Sequence, residues 1–274
     1  MIRRDIDLGD GRALWLLVSQ VEHARLSAVL AERCLTNFGQ AAPELDPVRR
    51  ELLQAIARHD DGWAQWEKQP GIDLELHRPL SFRELSHDES LANWDGSIRS
   101  AAEVGPLAGW TVAGHFSMLL EASKCEFDQA DTTQWLADIV KQRTDWLAQW
   151  QAIDPKLHTK QLADEALLWL RVFDVISLWI CSVAPFGGEV VSQWPGGYHI
   201  GLGESLDTQL AADPKIDNSD RGVVTVDPWR FDVSELEIEA TGHVVPVGEY
   251  RDVAAMLATY EPLQLSWRLT PLRA

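Results

Sequence analysis

The sequence has few cysteines and few basic residues. Its three cysteines, Cys34, Cys125 and Cys181, lie in apolar segments, and none shares the Cys-x-x-Cys spacing of a zinc site or redox pair. They are therefore expected to be reduced thiols in the core. Only 24 lysines and arginines stand against 42 aspartates and glutamates, giving a formal net charge of −18. Because nucleic-acid-binding surfaces need clustered positive charge, we expect no nucleic-acid partner.

The chain also lacks the long apolar segments of secreted and membrane proteins. Residues 1–10 mix two arginines with three aspartates and contain no signal-peptide core. The most apolar stretch, residues 166–185, carries Arg171 and Asp174 near its middle, which is typical of a buried helix and not of a membrane span. These features predict a cytoplasmic protein without a membrane partner.

The sequence changes character near Pro185. Before it, apolar residues recur at helical spacing in the segments 19–35, 46–60, 88–104, 106–123, 131–151 and 160–184. After it, glycine- and proline-rich turns separate short runs that predict strands at 222–226, 236–240, 243–247 and 263–269. A further strand at 13–18 is expected to join that sheet. The sequence therefore predicts a mainly α fold, with a helical domain at 1–185 and a β-rich extension at 186–274 packed on it.

The tetrapeptide His59-Asp60-Asp61-Gly62 is the most informative motif. Asp46 and Pro47 are predicted to begin the preceding helix, and Gly62 to end it in the left-handed conformation. His59 and Asp60 would then lie at the helix tip, where one imidazole and one carboxylate can face the same ion.

Asp174 lies within a helix that is apolar on nearly every side. Burying even a neutral polar group without a partner costs roughly 2–7 kcal/mol, so this carboxylate needs a cation. That cation is either a metal ion or Arg171, one turn earlier. His23 follows the capping box Ser19-x-x-Glu22, and on its own it could equally be a core histidine bonded to backbone.

The order of His23, the His59-Asp60 pair and the late helical Asp174 resembles the HD-domain superfamily of metal-dependent phosphohydrolases. The segment His59 to Trp63 also resembles the HD-x-G-W segment of an uncharacterised bacterial HD-like family. These resemblances imply an HD-like helical bundle in which His23, His59, Asp60 and Asp174 bind one metal ion. They also imply His115 as a ligand of a second ion, although a satisfied core histidine is an equal alternative.

Together with this ligand set, the resemblance implies a metal-dependent hydrolase of a small phosphorylated compound such as a phosphomonoester, phosphodiester or nucleotide. Mixed nitrogen and oxygen donors suit one or two divalent ions of Mn, Fe, Co, Ni, Zn or Mg. Asp61 is expected to orient or deprotonate the attacking water, and Arg25 or Arg58 to hold the substrate phosphate. Two alternatives remain: a non-catalytic protein that binds a small ligand on the same fold, and an HD-type di-iron oxygenase.

Overall fold

A curled seven-stranded β-sheet runs through the molecule, so the expectation of a mainly α, HD-like bundle is wrong. The computed structural model is 50% helical and 21% strand. It describes residues 1–35, 43–73, 75–122, 129–193, 195–201, 206–213 and 221–272. Cys125 lies outside these ranges. No helix in them is both long and apolar enough to cross a membrane.

The large sheet combines strands from both ends of the chain. Its order is β1-β2-β8-β9-β7-β6-β5, and all neighbours are antiparallel except the parallel pair β7 and β9. A separate two-stranded ribbon is formed by β3 and β4. The strands are β1 (Ile2–Ile6), β2 (Leu14–Val18), β3 (Ile72–Asp73), β4 (Arg78–Pro79), β5 (Tyr198–Ile200), β6 (Thr208–Ala212), β7 (Gly222–Asp227), β8 (Leu236–Pro246) and β9 (Glu261–Pro271).

The strand β2 is buried on both of its faces. Leu14, Leu16 and Val18 point into the main core, whereas Trp15 and Leu17 belong to a smaller apolar cluster on the opposite face. Alternation of side chains across a strand explains how one apolar run serves two cores. β2 pairs with β8, so the predicted segments 1–185 and 186–274 share one sheet. The division near residue 185 stays a prediction.

Helices pack on the main-core face of the sheet. The described helices are α1 (Gln20–Leu35), α2 (Arg49–Arg58), α3 (Trp63–Trp66), α4 (His87–Ala102), α5 (Pro106–Ala122), α6 (Gln129–Ile153), α7 (Lys160–Ser182) and α8 (Val253–Leu257). The helices α1, α2, α5 and α7 contact one another around a shared core. These four helices position the candidate site, because α1, α5 and α7 each carry one of its polar side chains and the turn after α2 carries two more.

Two local expectations about the start of these helices have different outcomes. Ser19 caps α1, since its Oγ accepts a 2.9 Å hydrogen bond from the backbone N–H of Glu22. Asp46 and Pro47 do not begin α2; they lie inside the 3-10 helix Pro43–Val48, and the α-helix begins at Arg49. The capping prediction at Asp46 is therefore wrong.

Candidate metal centre

The His59-Asp60 pair lies in tight turns between α2 and α3. Gly62 is right-handed, with φ −63° and ψ −21°, so the predicted left-handed helix end is wrong. Glycine is needed here for close approach: a Cβ on Gly62 would lie 1.9 Å from the carbonyl oxygen of Asn93 and 2.5 Å from the backbone nitrogen of Ser97. The backbone of α4 therefore packs directly against the turn and sets the position of the pair.

Four buried side chains predicted from the sequence come together above this turn. Nε2 of His23 lies 3.1 Å from Oδ1 of Asp174 and 3.5 Å from Oδ2 of Asp60. Nε2 of His59 lies 3.3 Å from the same Asp174 oxygen and 3.5 Å from the same Asp60 oxygen. Each of the two imidazole nitrogens thus lies near one oxygen of Asp60 and one oxygen of Asp174, and we call these four side chains the His-Asp cluster.

The spacing of the His-Asp cluster suits a bound divalent ion. Ligands about 2.0–2.2 Å from one ion, at tetrahedral or octahedral angles, lie roughly 3.0–3.5 Å from each other. The four nitrogen-to-oxygen distances in the cluster, 3.1, 3.3, 3.5 and 3.5 Å, all match this range. Candidate ligand atoms of His23, His59 and Asp60 also all lie within 4.8 Å of one another.

Hydrogen bonds behind His59 fix which nitrogen faces the carboxylates. Nδ1 of His59 lies 2.7 Å from the backbone carbonyl oxygen of Ile56, which can only accept, so Nδ1 carries the hydrogen. In a neutral ring Nε2 then presents a lone pair to the carboxylates of Asp60 and Asp174. Two acceptors and a lone pair repel unless a metal ion lies between them or Nε2 is itself protonated. A metal ion satisfies this arrangement while the imidazole stays neutral.

A serine chain orients His23 in the same way. Oγ of Ser177 lies 2.7 Å from Nδ1 of His23 and donates to the carbonyl oxygen of Asp174 at 3.0 Å, so it can accept the Nδ1 hydrogen. Ser27 lies behind it, with the two hydroxyl oxygens 2.6 Å apart. These serines were not recognised from the sequence. The available signal was Ser177, a polar residue three positions after Asp174 in an apolar helix.

Charges in the cluster depend strongly on one another. Burial opposes ionisation of His59, but the negative charges of Asp60 and Asp174 outweigh it and raise the pKa of His59 to about 9. Burial also opposes ionisation of Asp174, yet the neighbouring His115, His23 and His59 hold its pKa well below the usual range. Burial raises the pKa of Asp60. The two carboxylates therefore favour positive charge at Nε2 of His59, one of the nitrogens where a metal would bind.

His115 lies at the edge of the His-Asp cluster. Its Nε2 is 3.8 Å from Oδ2 of Asp174, the carboxylate oxygen that faces away from His23 and His59, and its ring meets that of His59 edge-on. Burial, with smaller contributions from the positive charges of His59 and Arg171, lowers the pKa of His115 to about 4. Its Nδ1 is buried and has no hydrogen-bond partner. A neutral imidazole in this position is a suitable additional ligand.

Asp61 is held on the other side of the turn. Its carboxylate accepts a short hydrogen bond from Oγ of Ser100 on α4. Within the described segments no hydrogen bond or ion pair joins Asp61 to the cluster. Its expected role on the attacking water stays a prediction.

The two arginines expected to bind phosphate are both engaged elsewhere. Arg25 forms two hydrogen bonds to the carboxylate of Glu22, at 2.8 and 2.9 Å. Arg58 donates to the backbone oxygen of Ser100 at 3.3 Å and faces Glu103. Neither has contact with the His-Asp cluster in the described residues, so the geometry gives no support to either as a phosphate ligand.

Trp63 and Asn93 lie beside the same turn. From the sequence, Trp63 had no definite role and Asn93 was not recognised. Trp63 is buried and meets Trp66 edge-on, with ring centroids 6.0 Å apart. Nε1 of Trp63 and Nδ2 of Asn93 are buried donors without a hydrogen-bond partner in the structure. Trp63 therefore walls the region next to the His59-Asp60 pair, and both side chains keep a donor for a further group.

The fold and the site together define a mixed α-helical and β-sheet protein with a buried cluster of histidines and aspartates. The chain belongs to the family described as "Protein of unknown function (DUF3891)", whose sequence model matches residues 1–247. No curated protein and no solved structure matches it. Assignment to the HD-domain superfamily is wrong, because no HD family matches and the large curled sheet is not an HD helical fold.

Proposed function

We propose that this protein is a metal-dependent hydrolase of a small phosphorylated compound. The observation that carries the proposal is the convergence of His23, His59, Asp60 and Asp174 at ligand-to-ligand distances of 3.1–3.5 Å. Fixed rings are typical of metal ligands, since the outward nitrogen of a ligating histidine usually donates to a backbone carbonyl or polar side chain. The proposal does not depend on the resemblance to the HD-domain superfamily, which is wrong.

The donor set limits the metal and the chemistry. Two imidazoles and two carboxylates suit Mn, Fe, Co, Ni or Zn, with Mg favoured least because it prefers oxygen ligands. A divalent ion held there would lower the pKa of a bound water towards neutrality and polarise a phosphoryl oxygen. His115 is proposed as an additional ligand, through which a second ion could share Asp174. We place this activity in the cytoplasm, where the buried thiols of Cys34 and Cys181 would stay reduced.

The chain's own residues would perform the remaining tasks. Ile56 and Ser177 hold the two histidine rings so that Nε2 of each faces the carboxylates. Burial of the cluster excludes most water and strengthens the electrostatic interactions inside it. Asp60 and Asp174 would balance the charge of a divalent ion, leaving the metal site close to neutral before substrate binds.

The test is elemental analysis of protein purified without an affinity metal column, together with two variants of α7. Asp174→Asn keeps the size of the side chain but removes a ligand charge. Asp164→Asn is the matched control, because Asp164 is exposed on the same helix and pairs with Lys160. We expect near-stoichiometric metal in the wild type and control, and loss of most metal from Asp174→Asn.

Activity is measured in parallel on a panel of phosphomonoesters, phosphodiesters and nucleotides with added Mn²⁺. Hydrolysis by the wild type and Asp164→Asn, absent in Asp174→Asn, is the expected result. Full metal content in Asp174→Asn, or no metal in the wild type after Mn²⁺ supplementation, would contradict the metal site. Bound metal without turnover of any phosphorylated compound would contradict the hydrolase and favour a non-catalytic binding protein.

A further inference from the structure

Solvent reaches the His-Asp cluster from the side of Asp174. The side chain of Asp174 is 12% exposed, compared with 6% for Asp60 and at most 1% for His23 and His59. Asp174 is therefore the ligand nearest to the surface. A substrate too large to enter the buried interior would have to approach the cluster past this carboxylate.

Arg171 is a neighbour of Asp174 on α7. It precedes Asp174 by three residues on α7, a spacing that places two side chains on the same side of a helix. Asp174 is buried, whereas Arg171 lies in the half-exposed stripe of α7 with Leu168 and Val175. Arg171 is thus the more exposed side chain beside Asp174, the cluster residue that is nearest to the surface.

In the part of the chain that the structure describes, the guanidinium of Arg171 has no hydrogen bond or ion pair, although pairing with Asp174 was one of the two alternatives that the sequence left open. The two oxygens of Asp174 instead face His23, His59 and His115. The half-buried Arg4 behaves differently, since it is bound to Glu189 and to the carbonyl oxygen of Ala184. A half-buried arginine with five unused donors is a favourable anion-binding group.

Charge balance indicates which ligand this arrangement favours. Two ionised carboxylates and one divalent ion sum to about zero, so Arg171 would leave the entrance positive. The protein as a whole carries −18, which makes a positive entrance a local exception. A guanidinium presents parallel N–H donors that match two oxygens of a phosphate group. A neutral substrate would gain nothing from this charge.

We propose that Arg171 is the specificity-determining residue of the site and holds a phosphate group of the substrate next to the metal. This inference rests on the proposed function, because the phosphate would be shared between Arg171 and the bound ion. The competing role for Arg171 is a structural one, as the counter-ion that keeps Asp174 ionised and correctly placed. The two roles predict opposite effects on metal binding.

The experiment uses the full chain loaded with Mn²⁺ and titrated with inorganic phosphate by calorimetry. Wild type is compared with Arg171→Gln and Arg171→Lys. The matched control is Arg230→Gln, because Arg230 is also half-buried but lies in the C-terminal β-rich part, with hydrogen bonds to Thr208 and Asp207. Mn²⁺ affinity and stoichiometry are measured first for every variant, so that the metal site and the anion site are read separately.

We expect Arg171→Gln to bind Mn²⁺ as tightly as wild type or more tightly, because a positive charge near the ion is removed. Its phosphate affinity should fall about tenfold to a hundredfold, as for loss of a charge-assisted pair of hydrogen bonds. Arg171→Lys should recover part of this loss, since it keeps the charge without the bidentate geometry. Arg230→Gln should behave as wild type.

Three results would overturn the inference. Unchanged phosphate affinity in Arg171→Gln would show that another group holds the anion. Weakened Mn²⁺ binding in that variant would assign Arg171 the structural role. Phosphate that fails to bind the Mn²⁺-loaded wild type would remove the anion site while the metal site stands, whereas a wild type that binds no Mn²⁺ would refute the proposed function itself.

Discussion

Replacing Gly62 by alanine should damage both the fold and the metal site. The added Cβ would lie 1.9 Å from the carbonyl oxygen of Asn93 and 2.5 Å from the nitrogen of Ser97, far inside contact distance. Both neighbours are backbone atoms of α4, so no side-chain rotation can relieve the overlap. Gly96, also on α4, lies against the same turn, since a Cβ built on it would be 2.8 Å from Cα of Gly62. The two backbones are therefore already in close contact and leave no space for the methyl group of the alanine.

The expected cost follows from this rigidity. Overpacking a close contact typically costs about 1–3 kcal/mol, and two backbone clashes place Gly62→Ala at about 3 kcal/mol or above. For a chain of this size that corresponds to a fall in Tm on the order of 6–12 °C. Since the turn carries His59 and Asp60, relief of the clash should also displace the pair and weaken Mn²⁺ binding.

Calorimetric melting of Gly62→Ala beside Gly196→Ala measures this effect. A Cβ on Gly196 would meet nothing within 4 Å, and both substitutions change the unfolded chain in the same way. The difference between the two melting temperatures therefore reports the native-state clash alone. A Tm of Gly62→Ala within about 2 °C of the control would refute the close approach of α4 to the turn.

Three further predictions concern the same architecture. Ser177→Ala should lower Mn²⁺ affinity about tenfold or more, because Nδ1 of His23 loses its hydrogen-bond partner. The control Ser117→Ala removes only a hydrogen bond to the carbonyl of Ala113 on its own helix and should leave the affinity unchanged. Calorimetric titration with Mn²⁺ measures both, and equal affinities would contradict the orienting role of Ser177. Arg4→Ala should lower the free energy of unfolding by about 3–5 kcal/mol in urea, because it leaves the buried carboxylate of Glu189 without its cation. Arg12→Ala, which breaks an exposed ion pair with Asp10, should cost less than about 1 kcal/mol. Similar losses in the two variants would contradict the difference in burial. Removing divalent ions with a chelator should lower Tm, since an ion at 100 times its Kd contributes about 2.7 kcal/mol, and an unchanged melting curve would argue against a resident metal.

Helical periodicity predicted the helices well because it is a local property of the chain. The segments expected at 106–123 and 160–184 correspond to α5, Pro106–Ala122, and α7, Lys160–Ser182. The sheet was harder to predict. β1, with the sequence Ile-Arg-Arg-Asp-Ile, shows little apolar character, and it becomes a strand by pairing with β2. The expected strands at 236–240 and 243–247 belong to one continuous strand, because β9 pairs with residues 236–244 without a break.

The candidate site divides in a similar way. Residue order, helical context and the resemblance to the HD-domain superfamily together selected His23, His59, Asp60 and Asp174, which the structure brings together. Whether they bind metal stays a prediction. The role of Gly62 could not be predicted, because a left-handed helix end and a close helix contact both call for glycine. Only the position of α4 distinguishes them, and that position depends on contacts far apart in sequence.

Arg171 shows why a local rule can select the wrong partner for a buried charge. Spacing of three residues on a helix favours an ion pair with Asp174, and such pairs contribute only about 0.2–0.5 kcal/mol. Three imidazoles from two other helices and the turn after α2 compete for the same carboxylate, with their nitrogens 3.1–3.8 Å from its oxygens. The imidazole contacts are favoured because they are buried and the fold already fixes their side chains. Pairing with Arg171 would cost conformational entropy, since its long side chain would have to be held in one conformation. The guanidinium of Arg171 is then left half-exposed on α7, which is why we propose it as the group that binds the phosphate.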